Sequence, residues 1–439
     1  MNAEYIREVL FENIRKVTDN IKDYCVNPEK DFIRNRKFSA ERLIKGIIGM
    51  KGGSLSNEIL DMFDFASDTP TTSAFVQQRV KLKAEAFEAV FRSFTNSVIK
   101  TTDDEIPLLA VDGSDVQIPV NPDDVDSYYP GINEHRAFNL LHLNALYNLN
   151  HNTYMDLIIQ KSRKANEHAA FIQMIDRLEL NKAIIMVDRG YESYNNIAHV
   201  QEKGLNYIFR IKDGEAGIKQ CLKLPKEDTY DIDIALKLYN RNKQTVLKMA
   251  KDKDIYQYRH LTKTAVFDYL PPTNAVGEAA LYEMHFRIVR FEISENTYET
   301  ILTNLDRDEY SPERLKELYS RRWGIETSFR KLKLTMGMVN FHSKKMTCIC
   351  QEIYAHLIIY NFTEMITSHV VIKTKKRKYT YTANFAVSSH VCRKYFKKET
   401  TSSDLEAIIK NNIIPIRPDR HYTRKRRRRL SFSFLYRVS

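Results

Sequence analysis

Two short apolar stretches decide the fold: IPLLAVDGSDVQIPV at residues 106–120 and KAIIMVDRGY at residues 182–191. Short apolar runs that are bounded by turn residues are typical of β-strands. Ala183 to Val187 is continuously apolar, which predicts a strand inside a sheet that is covered on both faces. We therefore expect both stretches to form core strands of a sheet.

The segments around these stretches indicate a mixed α/β sheet. Two more strands are predicted after the first stretch, at residues 138–149 and 153–161. Helical spacing predicts helices over residues 165–180 and 194–204, and a further strand is predicted at 205–212. Three consecutive strands followed by alternating helices and strands are typical of an α/β fold.

The rest of the chain has three different patterns. Residues 1–100 carry apolar residues at helical spacing and predict an N-terminal helical domain, either a DNA-binding helix-turn-helix unit or a plain bundle. Residues 101–370 form the predicted core, in which the stretch at about 213–304 is rich in Val, Ile, Tyr and Phe and predicts a β-rich insertion. Residues 371–439 form a basic C-terminal segment.

The composition is that of a folded chain with a basic end. Of its 439 residues, 43% are hydrophobic and 28% are charged, which argues against wholesale disorder. The net charge is +12: residues 370–439, with 19 basic and four acidic residues, carry +15, and residues 1–369 carry −3. Such concentrated positive charge favours a polyanionic partner, with nucleic acid ahead of a membrane.

Nothing in the sequence predicts export or membrane insertion. No run of 18 apolar residues occurs, and the first residues mix acids with apolar side chains, unlike a secretion signal. Five cysteines are too few for a disulfide framework. We therefore expect a cytoplasmic protein with no membrane partner.

Two aspartates are the first candidates for chemistry. Asp112 follows the apolar run LLAV and precedes Gly113, and Asp188 follows the run IIMV. Acids at the carboxyl ends of strands project into the crevice where α/β sheets place their sites. If the two strands are neighbours, the carboxylates repel each other unless a cation neutralises them, and their hard oxygen atoms suit Mg²⁺ or Mn²⁺. The alternative is that each aspartate is a turn residue.

A third acid lies on a predicted helix. Ser311 and Pro312 are a strong helix start, and the helix is predicted to run to about residue 334. At 100° per residue, Glu326 shares one face of this helix, about 60° wide, with an aromatic residue and two cations. These neighbours are Tyr319, Arg322 and Lys333.

Other residues are weaker candidates. Asp115 is near Asp112 but two strand positions away from it, and it remains a second choice. Glu167 and His168 open a predicted helix and could line the crevice, although capping at the surface is the simpler interpretation. Thr71 or Thr72 is a candidate cap for an N-terminal helix that extends to about residue 94.

The three acids and their surroundings resemble the DDE transposases of the insertion-sequence-four group. Tyr319, Arg322, Glu326 and Lys333 match the group's Y-x₂-R-x₃-E-x₆-K signature, and the blocks VDGSDV and VDRGY resemble its two aspartate motifs. Ser114 stands where many relatives carry threonine. The resemblance covers residues 100–370 and implies an RNase H-like fold that is interrupted by a β-rich insertion.

The resemblance also implies an activity. It implies a prokaryotic, DNA-associated transposase that cuts at the ends of an insertion sequence and joins them to target DNA with two Mg²⁺ or Mn²⁺ ions. Asp112, Asp188 and Glu326 would be the catalytic metal ligands. Double-stranded DNA would be the partner, and a homodimer is expected in the synaptic complex. The residues implied in DNA binding are Tyr319, Arg322, Trp323, Arg330 and Lys333.

Three questions stay open at this level. An RNase H-like nuclease without strand transfer would carry the same acids, and a non-catalytic DNA-binding descendant of a transposase would retain the fold. Trp323, the single tryptophan, could stack on an unpaired DNA base, but packing against the sheet is the interpretation that we favour. The basic runs KTKKRK and RKRRRR suit contact with a DNA backbone, and a solvated tail is the alternative.

Overall fold

The computed structural model describes most of the chain. The described residues are 2–34, 36–99, 105–131, 136–212, 217–220, 222–240, 257–272, 280–370 and 380–416. Both basic runs of the C-terminal segment, KTKKRK and RKRRRR, lie outside these residues. Within them, no helix is both long and apolar enough to cross a bilayer.

The described N-terminal residues form helices, as predicted. Thr71 is the cap of one of them, because its hydroxyl accepts a hydrogen bond from the Ala74 N–H. The prediction that this helix extends to residue 94 is wrong. The chain turns at residues 80–84, where backbone hydrogen bonds join Lys81 and Lys83 to residues 24–26. The helices are α1 (Ala3–Asp19), α2 (Ile21–Tyr24), α3 (Ala40–Gly49), α4 (Leu55–Met62), α5 (Thr72–Arg79) and α6 (Glu85–Ile99).

The core sheet has the strand order of an RNase H-like fold. Its strands are β1 (Leu108–Ile118), β2 (Tyr128–Tyr129), β3 (Phe138–Asn148), β4 (Thr153–Lys161), β5 (Ile184–Val187) and β6 (Asn206–Ile211). β3 pairs antiparallel with both β1 and β4, whereas β5 is parallel to both β1 and β6. The prediction of an RNase H-like mixed sheet is confirmed.

The β-rich stretch extends this sheet. Its described strands are β7 (Tyr230–Tyr239), β8 (Gln257–His260), β9 (Tyr282–Ser294) and β10 (Thr297–Thr303). β10 pairs antiparallel with β6, so that the strands on both sides of this junction belong to one ten-stranded sheet. The pairing covers an edge of β6 that would otherwise present free backbone N–H and carbonyl groups.

Helices cover both faces of the core sheet, and the alternation of side chains in the strands explains why. Leu108 and Ala110 of β1 pack in one apolar cluster with α1, α3 and α6, whereas Leu109 and Val111 pack in the other cluster. Successive side chains of a strand point to opposite faces, so a strand with apolar residues throughout needs cover on both sides. The helices after the first strands are α7 (Glu167–Asp176) and α8 (Tyr194–Glu202), which provide the second cover.

The remaining helices follow the last long strand. They are α9 (Pro312–Ser320), α10 (Trp323–Arg330), α11 (Met346–His369), α12 (Phe385–Phe396) and α13 (Ser402–Asn411), with a small strand pair β11 (Tyr381–Ala383) and β12 (Ile413–Pro415). α11 is buried around nearly its whole circumference, between the N-terminal helices, β4 and α12.

A buried ion pair joins the N-terminal helices to α11. Arg79 Nη2 lies 2.8 Å from Glu352 Oε1, and both side chains are 2% exposed. Arg79 also donates to the carbonyl oxygen of Cys348 and to Gln351 Oε1. His342 contacts the other carboxylate oxygen of Glu352 at 3.1 Å, so every charged group in this cluster has a partner of opposite sign.

Candidate active site

Asp112 lies in β1 at the residue where this strand loses its parallel neighbour. Val111 is the last residue of β1 that pairs with β5, opposite Val187, whereas pairing with β3 continues to Ile118. The expectation that the strand ends at Asp112 is therefore wrong, because the antiparallel partner is longer than the parallel one. The Asp112 side chain is 23% exposed, and its Oδ1 accepts a hydrogen bond from the Gly113 N–H at 2.8 Å.

Asp188 comes directly after β5, the strand that neighbours β1, and so lies close to Asp112. It opens a single 3₁₀ turn, where its Oδ1 accepts from the Arg189 N–H at 2.7 Å. Adjacent strands lie roughly 4.8 Å apart, and Val111 and Val187 are register partners, so the two aspartates leave neighbouring backbone positions. Arg210 contacts the Asp188 carboxylate at 3.5 Å.

Glu326 reaches the same place from α10. Arg322 links Glu326 to Asp112. Its Nη2 donates to Glu326 Oε1 at 2.9 Å, and its Nη1 lies 3.6 Å from Asp112 Oδ2. Gly324 allows α10 to approach the sheet, since a Cβ atom there would lie 2.8 Å from the side chain of Leu149. The structure thus brings together the three acids that the sequence selected.

The helix that carries Glu326 differs from the predicted one. The sequence predicted a continuous helix from Ser311 to residue 334, but α9 ends at Ser320 and α10 begins at Trp323. A π-helical turn follows over residues 331–335, and short π segments often occur at functional sites. Arg322 and Glu326 are one turn apart and do share a face, whereas the π-helical turn means that α-helical spacing does not fix the direction of Lys333.

The surroundings of Asp112 disfavour the ionised form of its carboxyl group. Burial raises its pKa from 3.8 to about 6, although the nearby Arg322 guanidinium opposes this change. The negative charges of Glu326 and Asp188 raise the pKa further. The buried position of Asp112 and its two acidic neighbours therefore both disfavour its ionised form.

This donor set fits a divalent cation by its chemistry. Asp112, Asp188 and Glu326 offer hard carboxylate oxygens, the ligands that Mg²⁺ and Mn²⁺ prefer. Among the described residues, no group of three or more His, Cys, Asp or Glu side chains is arranged so that it could hold a metal ion. Arg322, whose side chain is 2% exposed, instead supplies the positive charge between two of the acids.

Lys333 and Tyr319 take different positions around the acids. Lys333 Nζ donates to Ser114 Oγ at 2.6 Å and to the carbonyl oxygen of Asp115, so it lies beside β1. Burial lowers its pKa from 10.5 to about 8. Tyr319 is 4% exposed, and its hydroxyl donates to the carbonyl oxygen of Val187 at 3.4 Å. Tyr319 therefore packs beneath the site, where burial raises its pKa.

Trp323 lies at the surface. Its side chain is 54% exposed, and the Arg322 guanidinium lies 5.6 Å from the centre of its ring. Our preferred interpretation of Trp323 as a core residue is therefore wrong, because it is the first residue of α10 and the sheet side of this helix is taken by Ile325 and Phe329. Arg330, at the other end of α10, is also exposed.

A further group of charged residues adjoins the acids, and it includes Glu167, for which the sequence favoured capping at the surface. His142 on β3 lies between Asp115 and Glu167, with contacts of 2.8 Å and 3.0 Å. Burial lowers the pKa of His142, but the two carboxylates outweigh this effect and raise it to about 9. The cap of α7 is Asn166, not Glu167. The only signal in the sequence was the position of Glu167 at a helix start after the third core strand.

The sheet order and the converging acids define a protein with an RNase H-like core and a carboxylate site at its strand ends. Residues 103–362 match the family model of the transposase DDE domain, which is more than half of the chain. The chain belongs to this family and is a DDE-type transposase.

One solved structure and the curated proteins complete the comparison. The chain is similar to a chain of the cryo-EM structure of the piggyBac transposase synaptic complex with hairpin DNA, with 11% sequence identity. The similarity covers 93% of this chain and 85% of that chain, at a TM-score of 0.46. No curated protein matches the sequence.

Proposed function

We propose that this chain is a transposase of the insertion-sequence-four group that cleaves DNA at the ends of an insertion sequence and joins those ends to target DNA. The observation that carries the proposal is the proximity of the three acids, two of which contact one guanidinium. Asp112 and Asp188 leave adjacent parallel strands, and Arg322 links Asp112 to Glu326. Membership of the transposase DDE domain family supports the same conclusion.

In this proposal, Asp112, Asp188 and Glu326 hold two divalent cations, Mg²⁺ or Mn²⁺. Such ions, when bound, activate the attacking water or 3′-hydroxyl and stabilise the leaving oxygen of an in-line displacement. Burial is the main cause of the raised pKa of Asp112, and the charges of Glu326 and Asp188 add to it, so a bound cation would favour the ionised carboxylate that the proposal requires.

The residues around the acids would hold the DNA. Arg322 and Lys333 would bind phosphates, with the guanidinium acting as a fork and the ammonium as a point charge. Trp323 is exposed beside Arg322 and would stack on an unpaired base. Arg330 would extend the contact along α10, whereas Tyr319 would act indirectly by supporting the backbone at Val187. Two copies of the chain would hold two DNA ends.

The experiment compares cleavage and joining with one set of variants. Purified protein is mixed with Mg²⁺ and DNA that carries the ends of the flanking element, and in parallel with precut ends and a target plasmid. Wild type should cleave the first substrate and join the second to the plasmid. Asp112→Asn, Asp188→Asn and Glu326→Gln should abolish both reactions and retain DNA binding.

Each competing function gives a different result. Cleavage without joined product would identify a nuclease that lacks strand transfer. DNA binding without either reaction would identify a non-catalytic descendant. If any of the three acid variants cleaves at a rate near that of wild type, that residue is not a metal ligand.

A further inference from the structure

Glu167 lies between the backbone segments that follow the two aspartates. A Cβ atom on Gly113, the residue after Asp112, would lie 2.8 Å from Glu167 Oε1. A Cβ atom on Gly190, two residues after Asp188, would lie 3.8 Å from Glu167 Oε2. One carboxylate therefore lies between Gly113 of β1 and Gly190 in the turn after β5, with one oxygen near each of them.

Glu167 is held in this position by residues of the sheet. His142 Nε2 lies 3.0 Å from its Oε1, and Asp115 Oδ1 lies 2.8 Å from His142 Nδ1. Capping of α7 does not require Glu167, since the Asn166 side chain accepts from the N–H of Ala169. With Oε1 engaged by the imidazole, Oε2 is the oxygen that remains for another contact.

Some buried polar atoms at the same place make no hydrogen bond within the described part of the chain. The Tyr191 hydroxyl is buried and makes no hydrogen bond within the described part of the chain, and its charged neighbours are the carboxylates of Glu167, Asp112 and Asp188 and the guanidinium of Arg322. Arg322 Nε and Nη1 also make no hydrogen bond there. Buried polar groups are nearly always hydrogen-bonded, so these atoms indicate a ligand, with its bound water, among the four acids.

We propose that Glu167 is a fourth carboxylate ligand of the divalent-cation centre, acting through Oε2, and that His142 and Asp115 are positioning residues for it. This inference rests on the proposed function, because that function places cations at Asp112, Asp188 and Glu326. Each Mg²⁺ or Mn²⁺ ion takes about six oxygen ligands, so three carboxylates do not supply all the ligands of two ions and a fourth would add to them.

The test measures metal binding directly, without DNA. Mn²⁺ is titrated into the full-length protein, and the free ion is followed by its electron paramagnetic resonance signal. Glu167→Gln should weaken Mn²⁺ binding at least about tenfold, as loss of groups at metal centres commonly does. The amide is isosteric with the carboxylate and Glu167 is not the cap of α7, so the fold should persist, which circular dichroism checks.

Three further variants make the result specific. Asp112→Asn should also weaken Mn²⁺ binding. Glu4→Gln is the matched control and should bind like wild type, because Glu4 lies in the first turn of α1, a helix that is capped by Asn2 as α7 is capped by Asn166. Glu167→Asp keeps the charge on a shorter side chain and should recover part of the affinity that Glu167→Gln loses.

The outcomes separate this inference from the proposed function. Wild-type affinity in Glu167→Gln together with weakened binding in Asp112→Asn would overturn the role of Glu167 alone. Wild-type affinity in both variants would overturn the metal centre itself and the proposed function with it. Should Glu167→Gln fail to fold, Glu167→Asp decides: affinity measurably below that of Glu4→Gln supports a ligand, and affinity equal to that of Glu4→Gln contradicts it.

Discussion

Removing the cation of the buried ion pair at Arg79 should destabilise the whole protein. Arg79→Met keeps a long apolar side chain but leaves the Glu352 carboxylate, 2% exposed, without its closest positive partner. Breaking a buried pair by removing one partner typically costs about 3–5 kcal/mol. That loss is large because domains are commonly stable by only about 5–15 kcal/mol.

The pKa of Glu352 gives an independent magnitude. Burial alone would raise this pKa, but Arg79 and His342 outweigh burial and lower it from 4.5 to about 2. Since one pKa unit corresponds to about 1.4 kcal/mol, the interaction stabilises the folded state by about 3 kcal/mol. The folded pKa lies below the unfolded one, so this stability is complete above about pH 4.5 and is lost as the pH falls towards 2.

Urea unfolding followed by far-UV circular dichroism at pH 7 and pH 3 measures both effects. Arg79→Met should lose about 3 kcal/mol at pH 7 and less at pH 3, where its Glu352 can take up a proton. Arg79→Met combined with Glu352→Gln should recover part of the loss, because no buried charge then remains unpaired. Lys410→Met, which removes an exposed partner of Glu406, is the control and should leave the midpoint unchanged.

Two results would refute this reasoning. A free energy of unfolding within about 1 kcal/mol of wild type for Arg79→Met at pH 7 would show that the pair contributes little to stability. A double variant that is as unstable as the single one would show that Arg79 acts through its hydrogen bonds to Cys348 and Gln351 and not through the charge of Glu352.

Four further predictions concern the site and the tail. Burial lowers the pKa of Lys333 to about 8, so its side chain loses its charge above that pH. The cleavage rate should therefore decline as the pH rises through 8, and Lys333→Arg should shift this decline to a higher pH. Trp323→Ala should leave the melting temperature unchanged, because the ring is exposed, but should weaken binding of ends with an unpaired base by about tenfold, as measured by fluorescence anisotropy. Gly113→Ala should abolish cleavage while DNA binding persists, since the new Cβ would lie 2.5 Å from His142 Nε2. Truncation after Ile416 removes eight basic residues between 417 and 429. The slope of the logarithm of the DNA-binding constant against the logarithm of the salt concentration should then flatten by several units, at about 0.9 for each phosphate that the tail neutralises. An unchanged slope would exclude the tail from the DNA-binding surface.

The strands and helices of the core followed from local pattern. The continuous apolar run at 183–187 indicated a strand covered on both faces, and its alternate side chains do pack in two different clusters. The order of strands and helices predicted the mixed sheet, which the pairing of β5 with β1 confirms. Such patterns are readable because they depend on neighbours two to four residues apart in the chain.

The residues at which strands and helices end were harder to predict from the sequence. Asp112 was expected at a strand end, but β1 continues because β3 is long enough to pair with it to Ile118. The single helix expected after Ser311 is divided at residues 321–322, although its local pattern is helical throughout. For β1, a partner that is distant in sequence decides where the strand ends.

The sequence by itself determined the fold class and the three candidate acids, because periodicity and motif spacing are properties of the linear chain. Only the tertiary structure decided what surrounds each acid. It placed Arg322 between Asp112 and Glu326, left Trp323 exposed and brought Glu167 to the strand ends. Exposure and charge contacts depend on which distant elements pack together, so the linear order of residues does not specify them until the chain has folded.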